Sequence, residues 1–100
     1  MIDLAPEYLT QVKIILIENI PMHEVRIFGS RVNGTAQKNS DIDLVIIGKD
    51  TINWREIEKL KDIFSESDIP YIVDIVDWHS LDDNFRKIIS SRFETIQKPF

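Results

Sequence analysis

Between two expected strands, the sequence reads GSRVNGTAQKNSDID from Gly29 to Asp43. Side chains alternate along a strand, so Asp41 and Asp43 should point to the same face. Two adjacent carboxylates repel each other unless a cation lies between them, and hard oxygen ligands favour Mg²⁺ or Mn²⁺. At the start of the stretch, Gly29 lets the backbone approach a phosphate closely, and Ser30 offers a hydroxyl and an N–H. The stretch therefore predicts a metal and phosphate site for phosphoryl or nucleotidyl transfer.

A third carboxylate, Asp74, lies within an apolar run from Tyr71 to Val76 that is typical of a strand. A carboxylate among such neighbours is costly unless it is paired, hydrogen-bonded or metal-bound. If this strand lies beside the strand of Asp43, the carboxylates can form a site for two metal ions. Asp77 is the rival candidate, but its position at the strand exit favours a turn-forming role.

Two further side chains have more than one interpretation. The guanidinium of Arg31 could clamp a phosphate through two parallel hydrogen bonds, or it could be a solvated charge on a polar turn. We include Arg31 among the candidate nucleotide-binding residues. Trp54 fits an apolar helix stripe and is expected in the core rather than as a platform for a nucleotide base.

The order of apolar patterns and chain breakers predicts helix, strand, short helical turn, strand, helix, strand and helix. The expected bounds are a first helix from Pro6 to the stop at Pro21, strands at Glu24–Phe28, Asp41–Ile47 and Tyr71–Val76, a helix capped by Asn53, and a last helix that continues to Ile96. We therefore expect an α+β fold, with one domain over residues 1–100 and helices packed on a small mixed sheet of three or four strands.

Composition narrows the class of protein. The chain has 100 residues, of which 43% are hydrophobic, and this is enough for a single core. Its net charge of −5 disfavours tight nucleic-acid binding. The absence of Cys excludes a disulfide framework, a Cys-based zinc site and a thiol nucleophile, and it fits a reducing cytoplasm. We find no apolar run of the roughly 18 residues that a membrane span needs and no signal peptide.

The motif resembles the signature of a known group of enzymes. Gly-Ser, ten residues and Asp-x-Asp mark the DNA polymerase β-like nucleotidyltransferase superfamily, and here ten residues, Arg31 to Ser40, separate Ser30 from Asp41. Gly34, Ser40 and the run Asp-Ile-Asp-Leu are similar to its smallest branch, the minimal nucleotidyltransferases. These are typically encoded beside a HEPN-domain protein as a toxin–antitoxin pair. The resemblance extends over nearly the whole chain.

The resemblance implies a role for each candidate residue. Asp41, Asp43 and Asp74 would bind two Mg²⁺ ions, with Mn²⁺ as the alternative, and Asp74 would also take the proton of the incoming hydroxyl. Gly29 and Ser30 would hold the triphosphate of ATP. The implied reaction is the transfer of AMP from ATP to a tyrosine hydroxyl of a HEPN toxin. The chain would then act as an antitoxin in a hetero-oligomer with that toxin.

Two alternatives remain open from the sequence alone. The chain could neutralise a HEPN partner by forming a complex without catalysis, although the intact set of three carboxylates argues against a decayed site. It could also transfer a nucleotide to a small molecule such as an aminoglycoside. The lack of an acceptor-binding domain argues against that second alternative.

Overall fold

The computed structural model describes residues 1–99. Its elements are α1 (Pro6–Asn19), β1 (Glu24–Phe28), α2 (Ser30–Asn33), β2 (Ile42–Ile47), α3 (Trp54–Ser65), β3 (Val73–Asp77), a 3₁₀ turn (Trp78–Ser80), α4 (Asp83–Ser91) and β4 (Phe93–Gln97). Among these residues, no helix combines the length and the apolar character that a membrane crossing requires.

The strands form one mixed sheet in the order β3-β2-β1-β4. β1 runs antiparallel to both of its neighbours, β2 and β4, whereas β2 and β3 are parallel. A parallel pair needs a crossover connection, and α3 supplies it. This architecture confirms the predicted α+β fold and places β3 and β4 at the two edges of the sheet.

The C-terminal prediction is wrong in one respect. α4 ends at Ser91, and the segment expected to continue the helix to Ile96 instead forms β4 against β1. The side chain of Gln97 fastens this strand, because its Nε2 donates to the carbonyl oxygens of Ile20 at 2.8 Å and His23 at 2.9 Å. Pairing with β1 satisfies the backbone groups along the outer side of that strand and buries Ile96 and Gln97, so the sheet has four strands.

The hydrophobic core lies between one face of the sheet and the helices α1 and α3. Its most deeply buried members include Val12, Leu16, Val25, Ile27, Ile42, Leu44, Ile46, Leu60 and Phe64. α4 shields part of the opposite face, where the rings of Phe85 and Phe28 meet edge to face with centroids 6.1 Å apart. The candidate site lies on this second, less covered face.

α3 begins as the sequence predicts but exposes its first residue. The side chain of Asn53 caps the helix by accepting a hydrogen bond of 2.8 Å from the backbone N–H of Arg55. Trp54 is 68% exposed, with the guanidinium of Arg55 5.5 Å from its ring centre, so the prediction that Trp54 is a core residue is wrong. The buried stripe of the helix is formed by Leu60 and Phe64, nearly two and nearly three turns further along.

Candidate active site

Gly29 forms the turn between β1 and α2, and only glycine suits this position. Its φ of +81° and ψ of −156° lie in a region that other residues avoid. A Cβ at this position would also collide with Oδ2 of Asp43. The backbone of the turn therefore passes directly over the second carboxylate of the motif.

The short helix α2 presents backbone donors beside this turn. The N–H groups of Val32 and Asn33 both donate to the carbonyl oxygen of Gly29 at 3.0 Å, which closes the helical turn. The N–H groups of Ser30 and Arg31 belong to the first turn, where no acceptor exists within the helix. Ser30 is half-buried and adds its hydroxyl. These donors suit the phosphate-binding role predicted for Gly29 and Ser30, which stays a prediction.

The register of the sheet brings the predicted carboxylates together. β2 and β3 pair so that Asp43 lies directly opposite Asp74. The residues before and after each of these two are buried in the core, so both carboxylates point to the other face of the sheet. Asp41 precedes β2 at the position two residues before Asp43 and is exposed. The expectation that the second and third strands are neighbours is thereby confirmed.

The carboxylates influence one another electrostatically. The pKa of Asp43 is raised from 3.8 to about 6. Burial is the largest cause of this rise, followed by the negative charge of Asp74 and then by that of Asp41. A cation bound among these groups would relieve the repulsion and favour the ionised form of Asp43.

The donor set fits a hard divalent cation that is shared with a substrate. Within residues 1–99, no three His, Asp or Glu side chains already form a closed metal cluster. Mg²⁺ does not require one, because it commonly binds through one or two carboxylates together with waters and substrate phosphates. Asp41 and Asp43 could supply those carboxylates, and the close approach of the Gly29 backbone to Asp43 places the predicted phosphate-binding turn beside them.

Asp77 has a structural role that uses its whole carboxylate. It is only 5% exposed, and its two oxygens accept hydrogen bonds from the N–H groups of Ile52 and His79, both at 3.1 Å, and from the hydroxyl of Ser80 at 3.2 Å. The prediction that Asp77 forms the turn after the strand is confirmed, and its side chain points to the face opposite to Asp74.

Arg31 is buried at 5% exposure, so the interpretation as a solvated charge is wrong. Its Nε and Nη2 donate to the carbonyl oxygen of Ser40 at 3.1 and 2.8 Å, and its Nη1 donates to that of Asp3 at 2.8 Å. The guanidinium also lies 4.2 Å from the ring centre of Tyr71. These contacts fix the residue immediately before Asp41, a function that no local sequence pattern reveals. The predicted role in nucleotide binding stays a prediction.

Comparisons with known proteins agree with this geometry. The family described as "Polymerase beta, Nucleotidyltransferase" matches residues 10–97. The probable protein adenylyltransferase MntA of Haemophilus influenzae (strain ATCC 51907 / DSM 11121 / KW20 / Rd) is 42% identical over 97 residues. That alignment covers 97% of this chain and 85% of the relative.

Solved structures share the fold. A toxin–antitoxin complex crystallised with AMP-PNP matches with a TM-score of 0.67 and 26% identity, covering 88% of this chain and 71% of that one. The complex of a tri-AMPylated Shewanella oneidensis HEPN toxin with an MNT antitoxin matches with a TM-score of 0.59 and 22% identity, covering 88% and 67% of the two chains. The second likeness shows the fold alone.

Proposed function

Since this chain belongs to the polymerase β nucleotidyltransferase family, we propose that it transfers AMP from ATP to a tyrosine hydroxyl of a HEPN toxin and so acts as the antitoxin. Nucleotidyl transfer is the activity of the family. A protein acceptor is supported by the 42% identity to a probable protein adenylyltransferase. A HEPN acceptor is supported by the fold shared with an antitoxin that is bound to an AMPylated HEPN toxin. Such a pair would be a hetero-oligomer, and the Cys-free sequence supports a cytoplasmic location.

The geometric support for this proposal is the arrangement of two carboxylates beside the glycine turn. Asp43 faces Asp74 across the parallel strand pair, and the glycine turn that is predicted to bind phosphate lies directly against Asp43. A carboxylate whose pKa is raised by burial and by two like charges is typical of a functional site rather than of a solvated strand surface.

The residues divide the work of the transfer. Gly29, Ser30 and the free amides of the first helical turn would hold the triphosphate. Asp41 and Asp43, with Asp74, would hold Mg²⁺ or Mn²⁺, most simply as a pair of ions, which when bound neutralises charge on the phosphate oxygens. The acceptor oxygen forms a bond to the α-phosphorus while the bond to the bridging oxygen breaks, so pyrophosphate leaves. The hydroxyl proton would pass to Asp74, one strand beyond Asp43.

Intact mass spectrometry of the cognate toxin tests the proposal. The toxin is incubated with ATP, Mg²⁺ and either the wild-type chain or the double variant Asp41→Ala/Asp43→Ala. We expect mass increments of whole AMP units with wild type and none with the double variant. Asp50→Ala is the matched control, because Asp50 is an exposed carboxylate just beyond the other end of β2 and should leave the transfer intact.

The same experiment separates the alternatives. A toxin that is bound and silenced without any mass increment would show that the chain acts by complex formation alone. Transfer to a small alcohol in place of the toxin would show a small-molecule nucleotidyltransferase.

A further inference from the structure

The elements of the site follow one another across the sheet. Phe28, the last residue of β1 before the glycine turn, pairs with Asp43 on β2, and Asp43 pairs with Asp74 on β3. Neighbouring strands are about 4.8 Å apart. Asp74 therefore lies one strand beyond Asp43, on the side away from Gly29, and the next position outward is the unpaired edge of the sheet.

The order of Gly29, Asp43 and Asp74 across the sheet determines from which side the acceptor hydroxyl approaches. In an in-line displacement, the attacking oxygen and the leaving oxygen lie on opposite sides of the phosphorus. A triphosphate that is held from the side of Gly29 places the leaving pyrophosphate over β1 and the α-phosphorus near Asp43. The acceptor hydroxyl then has to arrive from the side of β3, where Asp74 is the first polar group that it meets.

A cavity lies at that edge of the sheet. It has a volume of about 520 Å³ and is bounded by the start of β3, including Asp74, by the segment before it and by the C-terminal half of α3. This volume lies within the roughly 300–1,000 Å³ that is usual for clefts that take up small ligands. Ile72 lines the cavity and is 70% exposed, so an apolar wall faces solvent beside the candidate base.

We propose that this cavity receives the tyrosine-bearing segment of the protein acceptor, and that this segment contacts Ile72 beside Asp74. The inference rests on the proposed function. Ile72 offers the apolar surface that a phenol ring needs, and Asp74 accepts the proton as the phenolic oxygen attacks. The unpaired edge of β3 leaves room for the backbone that carries the tyrosine.

A thiol-protection experiment tests docking independently of catalysis. Since the chain contains no Cys, Ile72→Cys places a single thiol at the cavity, and Trp54→Cys places one at a site of nearly equal exposure, 70% against 68%. Maleimide labelling of each variant is followed by mass, with and without the cognate toxin, in the presence of the α,β-methylene analogue of ATP. We expect the toxin to slow labelling at position 72 about tenfold and to leave labelling at position 54 unchanged. Equal labelling at position 72 with and without toxin would overturn the inference.

A matched pair of charge variants tests the consequence for transfer. Ile72→Glu should lower the rate of AMP transfer to the toxin about tenfold while the affinity for ATP·Mg²⁺ stays unchanged, and Trp54→Glu should change neither. A parallel loss of ATP affinity in Ile72→Glu would overturn the inference, because the cavity would then hold the nucleotide. An unchanged transfer rate would overturn it too.

The two experiments also separate this inference from the function on which it rests. Protection at position 72 without any AMP transfer by wild type would refute the transferase function and leave the docking site supported. AMP transfer without protection at position 72 would support the transferase function and refute the docking site.

Discussion

Arg31 lies in the predicted phosphate-binding motif, but its guanidinium binds backbone carbonyl oxygens of the protein itself. Three of its five N–H groups donate to the carbonyl oxygens of Ser40 and Asp3, and its plane lies against Tyr71. Lysine cannot reproduce the forked pair of bonds to Ser40. The guanidinium thus positions the approach to Asp41 whether or not it also contacts a nucleotide.

We predict that Arg31→Lys lowers the free energy of unfolding by about 2 kcal/mol, since the carbonyl oxygens of Ser40 and Asp3 lose donors in partly buried hydrogen bonds. Urea denaturation measures this change, with Arg55→Lys as the exposed control that should have little effect. Unchanged stability combined with lost ATP affinity would instead show that the main partner of Arg31 is the nucleotide.

The two glycines with positive φ allow the steric role of Gly29 to be isolated. Gly29 and Gly34 have φ values of +81° and +85°, but a Cβ at Gly34 would meet no atom within 4 Å, whereas at Gly29 it would collide with Asp43. We predict that Gly34→Ala costs about 1 kcal/mol of stability, the price of the left-handed backbone alone. Gly29→Ala should cost clearly more and should also abolish ATP·Mg²⁺ binding. Urea unfolding and calorimetric titration of both variants check this, and equal behaviour of the two would refute a close approach at Asp43.

The raised pKa of Asp43 makes the stability of the metal-free protein depend on pH. The folded value is about 6, against 3.8 as the ordinary value, so the folded chain binds more protons between these limits than the unfolded chain does. Stability should therefore fall as pH rises from about 4 to about 6 and stay level above that. Asp43→Asn should remove this fall and stabilise the metal-free protein at pH 7 by on the order of 1 kcal/mol, a value reduced for the partial exposure of the group.

Urea denaturation in EDTA at pH 4.5 and pH 7 tests this dependence, with Asp50→Asn as the exposed control. An identical pH dependence in wild type and Asp43→Asn would show that Asp43 is not the group responsible. Affinity for Mg²⁺ should follow the opposite trend and weaken below pH 6, because protons compete with the cation for the same carboxylate.

At the scale of the elements, the local sequence pattern predicts a helix or strand correctly where residues close in sequence determine the structure. The β-branched runs ending at Phe28 and Ile47 predicted strands, and Asn53 predicted the start of a helix. The prediction that the last helix continues to Ile96 is wrong because Phe93 and Ile96 are also spaced like residues on one face of a helix. The partner of the segment Phe93–Gln97 is β1, which is distant in sequence, so the evidence for β4 lies in the tertiary structure.

We predict that Gln97→Leu destabilises the protein by about 1–3 kcal/mol, because the carbonyl oxygens of Ile20 and His23 lose their donor in a buried setting. ATP affinity should be unchanged, since β4 and Asp74 lie at opposite edges of the sheet. Thermal unfolding and ATP titration measure both quantities, with the exposed Gln37→Leu as control. A loss of ATP affinity in folded Gln97→Leu would contradict this separation of the two edges.

At the scale of the whole molecule, the carboxylates were predictable and their surroundings were not. The spacing of Asp41 and Asp43 and the isolated charge of Asp74 within an apolar strand are visible in the sequence, and only the adjacency of the two strands had to be assumed. The burial of Arg31 and the cavity beside Ile72 depend on segments that meet only in the folded chain. Residue types could therefore suggest the chemistry, whereas the direction from which an acceptor arrives required the sheet order.

The position of β3 at the edge of the sheet affects how this protein loses activity on heating. β3 is hydrogen-bonded to a strand on one side only, and it carries Asp74. Opening an edge strand costs less free energy than unfolding the whole domain, so β3 should detach in part of the population while the rest of the sheet persists. On gentle warming, catalytic competence should therefore disappear several degrees before the circular dichroism signal of the folded chain does.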